Sequence, residues 1–353
     1  MSLNSKKSTS CNINPRILKV SADVCSFVLK NCFNSQLSGS VFHESLKRAS
    51  ITPVYKKKGD SSSIENYRPI SILPTVSKVF ERIMANQLNS FFESRFSSLL
   101  CGFRKRHSTQ HALLRLLHHW QTALDDSNIV GTVLMDLSKA YDCLPHGLLI
   151  AKLAAYGVDY NSSKFIYSYL TNRTHRVKIG NSFSSYLGVK LCVSQGSILG
   201  PLLFNIFLND LLFPRESELC NFADDNTLFA IAKTLLEVIN ILTVETLDVI
   251  QWFDINGLVA NSSKFQVMFL GKDTNISEFL LGDVILEVSS IVKLLGIYID
   301  NKLQFKDHLD EKCSKASSKI RALLRIRSYL SLDTAKALCN AYILSNFNYC
   351  PLI

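Results

Sequence analysis

Ten cysteines are scattered along this 353-residue chain without one Cys-x-x-Cys pair. That spacing excludes zinc knuckles and fingers and suits the reduced thiols of an intracellular protein. Long hydrophobic runs are also missing. The longest apolar stretch, Ile198 to Phe213, is broken by Gly200, Pro201, Asn205, Asn209 and Asp210, too short and too polar to span a bilayer. No signal peptide opens the chain, because Met1 to Pro15 is polar. Without a secretory route, triplets such as Asn172-Arg173-Thr174 carry no weight as glycosylation sites. No internal repeat occurs, and no low-complexity tract follows residue 15. Acidic residues are in the minority, 29 against 39 Lys and Arg, which leaves a net charge of +10. That excess suits an anionic partner, nucleic acid first, and equally a generally basic soluble protein. Length and a 47% apolar content allow two or three packed subdomains.

The acidic residues that are present are placed unevenly. Asp224 and Asp225 stand together between two apolar runs, Leu219 to Ala223 and Leu228 to Ala232. The flanks read as strands and Asp-Asp-Asn as turn chemistry, so a hairpin would lift both aspartates to its tip. Asp136 closes a further apolar run, Ile129 to Met135, which reads as a buried strand. If that strand lies beside the hairpin, three carboxylates converge. Such a cluster repels itself without cations and is a natural Mg²⁺ site. Two cations about 3.5–4 Å apart would fit phosphoryl transfer of the polymerase kind.

Elsewhere the spacing predicts helices over 16–48, 77–96, 107–124, 144–156, 162–170, 198–212 and 235–256, and from Asp307 onward. Strands are predicted at 51–55 and 66–70, the latter because Pro69 biases Arg68 away from helix. A strand pair is expected at 176–179 and 186–193, another strand at 266–270 and one hairpin within 284–299. The order, helical front, mixed middle, helical end, implies an α+β core with helical lobes.

Six blocks in this order carry a specific resemblance. The segments Asn66 to Ser71, Gly102-Phe103-Arg104, Val133 to Asp142, Ser194 to Phe204, Phe222 to Asp225 and Leu294 to Ile297 resemble the fingers, catalytic, Gln-Gly, aspartate-pair and primer-grip motifs of reverse transcriptases from non-LTR (LINE-type, jockey-like) retrotransposons. The resemblance covers roughly residues 50 to 310. It implies a right-hand polymerase and RNA-directed DNA synthesis, with an RNA template, a DNA primer, dNTPs and Mg²⁺ (or Mn²⁺), inside the cell and away from membranes. By residue range it implies a disordered 1–15, fingers and N-terminal helices over 16–128, a palm over 129–290, and a primer-grip hairpin with a truncated thumb over 291–353.

The same resemblance distributes roles. Asp136, Asp224 and Asp225 are catalytic and hold metal. Arg68 takes the triphosphate through its bidentate fork, with Lys56 a weaker candidate. Tyr141 is the steric gate beneath the sugar, Gln195 and Gly196 line the nucleotide and template pocket, and Lys264 stands by the pyrophosphate. Leu295 and Gly296 support the primer end. Read alone, Gln195-Gly196 is equally a helix entry and Leu295-Gly296 equally a plain hairpin turn. Asp142 reads as a turn cap. In the last helical segment Lys312, Lys315 and Lys319 share a face opposite Leu309, Cys313, Ala316, Ile320 and Leu323, which the resemblance makes a thumb helix facing the duplex.

The chain departs from the family pattern at three places: Ser194 replaces the usual proline before Gln-Gly, Tyr141 the usual gate phenylalanine, and Leu100-Cys101 stands where glutamine commonly precedes Gly-Phe-Arg. The family's N-terminal endonuclease does not fit in this length, so no target nicking is expected. A catalytically inactive fragment that only binds nucleic acid is the alternative reading.

Overall fold

A computed structural model describes residues 13–138, 141, 143–189, 191, 193–212 and 218–351. The stretch read as disordered therefore falls, apart from 13–15, outside the described residues, as does Asp142. Two compact units account for the chain. One comprises Met1–Ser97, Ser138–Leu211 and Phe253–Val259; the other comprises Ser98–Leu137, Leu212–Trp252 and Ala260–Ile353.

The first unit is built on a mixed sheet. Strand Arg48–Tyr55 runs antiparallel to Tyr67–Ile72, with Tyr55 opposite Tyr67, and parallel to Arg173–Ile179, with Arg48 opposite Thr174. Arg173–Ile179 also pairs antiparallel with Ser182–Phe183 and with Leu187–Val189. The helix expected over 16–48 ends early, because Ala22–Ser38 stops at Gly39 and Arg48 already belongs to a strand. Helices Thr75–Phe92 and Tyr160–Leu170 supply an aromatic core. Phe33 stacks on Phe80 at 4.2 Å between centroids, and Phe42 meets Tyr169 edge-on at 5.1 Å. Such pairs add to the area they bury.

The second unit is built on a five-stranded sheet whose main path runs antiparallel in the order Gln266–Leu270, Ile129–Ser138, Asp225–Ala232, Glu218–Phe222, with the short strand Val259–Ala260 also pairing on Ile129–Ser138. Its central strand is covered on both faces: Val130, Thr132 and Val133 are fully buried. That explains the near-continuous apolar run Ile129 to Met135, which carries no alternation. Helix Thr109–Asp125 packs Leu116, Leu117 and Trp120 against Val130, Leu134 and Phe229. A side chain at Gly131 would come within 2.5 Å of Val238 and Leu242 of the helix Leu235–Ile255. The single hairpin expected within 284–299 proves to be parts of two, Glu278–Leu281 with Val284–Glu287 and Ile291–Leu294 with Ile297–Asp300. Helix Lys306–Ile326 follows. Among the described residues no helix is long and apolar enough to cross a membrane.

Candidate active site

The strand that carries Asp136 does not stop at it, but runs on to Ser138. Asp136 therefore lies within the sheet, directly opposite Asp225, the first residue of the neighbouring strand. Directly opposed antiparallel residues share a face, with Cβ atoms about 4.5–5.5 Å apart. Asp224 occupies the second position of a two-residue turn, since Phe222 pairs with Asp225. Tight hairpin turns of this length need a left-handed residue, and Ala223 supplies it at φ 60. For a residue with a Cβ that conformation costs about 1–2 kcal/mol.

Three neighbours hold the turn in that shape. The fully buried Asn221 donates through Nδ2 to the Ala223 carbonyl at 2.8 Å and to Asn226 Oδ1 at 2.9 Å. Asn226, opposite it and also buried, donates through Nδ2 to the Asp224 carbonyl at 3.2 Å. Behind them passes residue 102. A Cβ there would stand 2.3 Å from the Ala223 nitrogen, so only glycine fits. Leu99 to Cys101 run beside the hairpin, with Asn221 N donating to the Leu99 carbonyl at 3.1 Å and Cys101 N to the Asn221 carbonyl at 2.9 Å. Gly102-Phe103-Arg104, aligned by resemblance with the fingers, thus folds within the same unit as the carboxylates.

The electrostatics follow from this geometry. Loss of water around the Asp225 carboxyl, together with the charges of Asp224 and Asp136, pushes it up to about 6. Asp136 has a counter-ion: Lys264 Nζ donates to its Oδ2 at 2.9 Å. Lys264 reaches it because the Asn261 N–H bonds the Asp136 carbonyl at 3.1 Å and the 3-10 turn Ser262–Lys264 follows. Among the described residues no group of three or more His, Cys, Asp or Glu side chains stands ready-made around a metal position. The three aspartates are within electrostatic reach of one another but form no closed cage, as expected of like charges with one of them already neutralised by an ammonium. The donor set, hard carboxylate oxygens of which that of Asp225 is pushed up by its two acidic neighbours, fits a divalent cation.

The other unit holds Arg68, Tyr141, Gln195 and Gly196, which the resemblance assigns to the nucleotide. Ser71 N donates to the Gln195 carbonyl at 2.7 Å, and a Cβ on Gly196, whose φ is 109, would lie 2.7 Å from the Ser71 carbonyl oxygen. The Gln-Gly loop is thus pressed onto the strand Tyr67–Ile72, which exposes Arg68. From the other side Glu81, fully buried, accepts from Ile198 N at 2.6 Å and Leu199 N at 3.4 Å through Oε2, and from Ser77 Oγ at 3.1 Å through Oε1. Burial raises the Glu81 carboxyl, against the pull of Arg173 and these donors. Ser194 Oγ lies 3.4 Å from His175 Nε2, whose ring burial and Arg173 push it down to about 4. Tyr141 stacks on Phe204 at 4.6 Å, and its carbonyl accepts from Val193 N at 2.9 Å. Lys56 Nζ is committed to the Glu65 carbonyl at 2.8 Å.

Leu295 and Gly296, at φ 46 and 85, form the turn between two strands. Tyr349 Oη donates to the Leu295 carbonyl at 2.6 Å and its ring would touch a Cβ on Gly296 at 3.5 Å. On the last long helix Lys315 pairs with Glu311 at 2.6 Å and Lys319 donates to Asn346 at 2.7 Å. Of its expected apolar stripe Ala316 is buried, while Leu309 and Ile320 remain exposed.

The family model for reverse transcriptase (RNA-dependent DNA polymerase) matches residues 55–299. The chain belongs to the reverse transcriptase family. Its relatives include the probable RNA-directed DNA polymerase from transposon BS of Drosophila melanogaster, 32% identical across 93% of this chain and 37% of that protein. The RNA-directed DNA polymerase from mobile element jockey of the same fly is 26% identical across 84% of this chain and 34% of that protein. The chain thus spans a little over a third of these curated relatives. This reverse transcriptase chain also superposes on the telomerase of Candida tropicalis solved with a fragment of telomeric RNA, with a TM-score of 0.51 at 13% identity, over 92% of this chain and 57% of that one. That likeness establishes the fold, the α+β right-hand polymerase. Reverse transcriptases use divalent metal ions, which agrees with the carboxylate donors of the hairpin.

Sequence reasoning missed the partnership of Asn221 with Asn226, and missed Glu81 altogether. The first two were visible as flanks of the aspartate pair, but nothing in the sequence says that two asparagines five apart will face each other. Only the two-residue turn makes them partners.

Proposed function

We propose that this chain performs RNA-directed DNA synthesis with Mg²⁺, an RNA template, a DNA primer and dNTPs. The observation that carries the reading is the register that sets Asp136 opposite Asp225 with Asp224 in the adjoining turn. In the reaction the primer 3′-oxygen bonds to the α-phosphorus of the dNTP, the bond to the bridging oxygen breaks, and pyrophosphate leaves with that electron pair. Bound divalent cations supply acidification of the 3′-hydroxyl and neutralisation of the triphosphate; Asp136, Asp224 and Asp225 are the residues that would hold them. Arg68, on an exposed strand face, binds the triphosphate as a bidentate donor. Tyr141 packs beneath the sugar and discriminates against a 2′-hydroxyl by shape. Gln195 and the tightly seated Gly196 offer hydrogen-bonding groups to the nucleotide and template, Lys264 neutralises the departing pyrophosphate, and Leu295-Gly296 supports the primer end.

The test is primer extension by the purified chain on poly(rA)·oligo(dT) with Mg²⁺ or Mn²⁺, beside Asp224→Asn. Extension that disappears in the variant is the expected result. Absence of extension by the parent chain, with a salt-sensitive binding isotherm retained, would replace this reading with that of a nucleic-acid binder.

A further inference from the structure

The loop from Val193 to Leu199 is tied down through its backbone. Val193 N donates to the Tyr141 carbonyl at 2.9 Å, Ser71 N to the Gln195 carbonyl at 2.7 Å, and Ser197 N closes a turn on the Ser194 carbonyl at 2.9 Å. The helix Gly200–Leu208 follows at once, and Ser197 Oγ accepts from Gly200 N at 3.0 Å. That hydroxyl is a local cap of the ordinary kind. Ile198 N and Leu199 N are taken instead by Oε2 of Glu81, 117 and 118 residues away in sequence, on the helix Thr75–Phe92. Removing a carboxylate from water is costly. A helix already capped by Ser197 does not need a second, charged acceptor for its own stability.

Glu81 is itself held in one place. Ser77 Oγ, one turn earlier, donates to its other oxygen at 3.1 Å. Burial raises this carboxyl, and the positive charge of Arg173 opposes that effect. The Arg173 guanidinium is buried as well, donates through Nη1 to the Tyr169 carbonyl at 2.8 Å and lies 4.9 Å from the centre of the Tyr169 ring. Two residues further along the same strand, His175 Nε2 stands 3.4 Å from Ser194 Oγ. Residues two apart on a strand share a face, so Arg173 and His175 serve opposite ends of one loop. Between these anchors lie Gln195 and Gly196. Beyond them the helix carries Phe204, on which Tyr141 stacks.

We infer that Glu81 is a positioning residue for the incoming nucleotide. By fixing Ile198 and Leu199 it sets where Gln195 and Gly196 stand and where the helix bearing Phe204 begins, with the His175–Ser194 contact as the second anchor. The inference rests on the polymerase reading above, which gives Gln195, Gly196 and Tyr141 to the nucleotide. Glu81 itself touches no substrate and acts through the backbone of the loop. The reach of its carboxylate carries the role, because hydrogen bonds to two successive N–H groups specify a position in a way that charge alone does not.

The experiment follows steady-state extension of poly(rA)·oligo(dT) by the full chain against dTTP concentration. It compares the parent with Glu81→Asp, Glu81→Gln and Ser194→Ala, each well below its own melting temperature. A variant that only folds less well has fewer active molecules, so its apparent kcat falls while KM stays. Glu81→Asp keeps the charge but is one methylene short of Ile198 N, and should raise KM for dTTP about tenfold. Glu81→Gln keeps the length and one acceptor for that N–H, and its amide can donate to Ser77 Oγ. Its KM should stay within about twofold of the parent, although the melting temperature drops because Arg173 loses its counter-charge. Ser194→Ala should raise KM about threefold with little effect on melting. An unchanged KM in Glu81→Asp would overturn the inference, and so would an equal rise in Glu81→Gln, which would assign the effect to charge. Should Glu81→Asp not fold, an unchanged KM in Ser194→Ala would overturn it. Amide hydrogen exchange of the segment holding Ile198 and Leu199 is read without catalysis and should quicken in Glu81→Asp. A parent chain that does not extend refutes the polymerase reading and takes the nucleotide role with it, while the exchange rates still decide whether Glu81 holds the loop.

Discussion

Asn221 and Asn226, directly opposed at the base of the aspartate hairpin, join their carboxamides at 2.9 Å and each hold one carbonyl of the turn, those of Ala223 and Asp224. The pair is buried, so its hydrogen bonds have no water to fall back on. It fixes the peptide planes on either side of Asp224 and thereby the direction of that carboxylate. Asn221→Leu removes two donors' worth of bonding and strands the Ala223 carbonyl and Asn226 Oδ1. We expect it to destabilise by about 1–3 kcal/mol in denaturant unfolding, and to lower the extension rate at temperatures where the variant remains folded. Adding Asn226→Leu should cost less than its effect alone, because the partner it would abandon is already gone. Strict additivity would refute the coupling.

Gly102 and Gly147 make a paired test of close approach. A methyl group at residue 102 would meet the Ala223 nitrogen at 2.3 Å, whereas nothing lies within 4 Å of one at residue 147. Gly147 sits in the helix His146–Ala155. Gly147→Ala should therefore be neutral or stabilise by up to about 1 kcal/mol. Gly102→Ala must displace the turn, and should lower both the melting temperature and extension. Equal melting temperatures for the two variants would show that the turn yields without consequence.

Asp225 gives the pH dependence its sign. In the folded chain its carboxyl titrates at about 6, against about 4 in an unfolded chain. Between those values the folded state binds the extra proton, so the stability Asp225 contributes is complete below about pH 4 and is lost as pH rises through about 6. Asp225→Asn mimics the protonated form. In chelator, its melting temperature should exceed that of the parent at pH 7.5, and the two should approach each other at pH 4. Added Mg²⁺ should stabilise the parent more than the variant at pH 7.5, since a cation relieves the same repulsion that the substitution removes. A pH-independent difference would contradict this account.

How far the sequence could be read depended on whether a feature was local. The buried strand before Asp136 and the hairpin at Asp224-Asp225 were legible because an apolar run and an Asp-Asp-Asn turn each carry their own signal. The extent of the central strand was not, because Leu137 and Ser138 are kept in the sheet by their neighbours. The helix expected up to residue 48 lost its end to strand pairing between Arg48 and Thr174, 126 residues apart in sequence. The second hairpin, from Glu278, was missed for the same reason: its short strands alternate weakly and become strands by pairing. At the site, residue types pointed to the carboxylates, but the ammonium on Asp136, the glycine behind Ala223 and the buried Glu81 beneath the Gln-Gly loop are tertiary facts.

Lys264 and Asp136 form an ion pair that a cation drawn to this carboxylate would have to displace. The ammonium lies 2.9 Å from Asp136 Oδ2, on side chains that are 59% and 33% exposed. An exposed pair of this kind contributes about 0–1 kcal/mol to stability, so Lys264→Met should leave the melting temperature nearly unchanged. Its effect should appear elsewhere. Any divalent cation using that carboxylate oxygen competes with the ammonium, so Lys264→Met should bind Mn²⁺ more tightly than the parent, read by electron paramagnetic resonance of free Mn²⁺. If Lys264 also neutralises departing pyrophosphate, the same variant should extend a primer more slowly despite its tighter hold on metal. Tighter Mn²⁺ with slower extension separates the two roles, because a lysine that served only as a placeholder for the cation would, on removal, bind metal better and extend at least as fast. Unchanged Mn²⁺ affinity would show that the cation takes its oxygens from Asp224 and Asp225 without calling on the one that Lys264 covers.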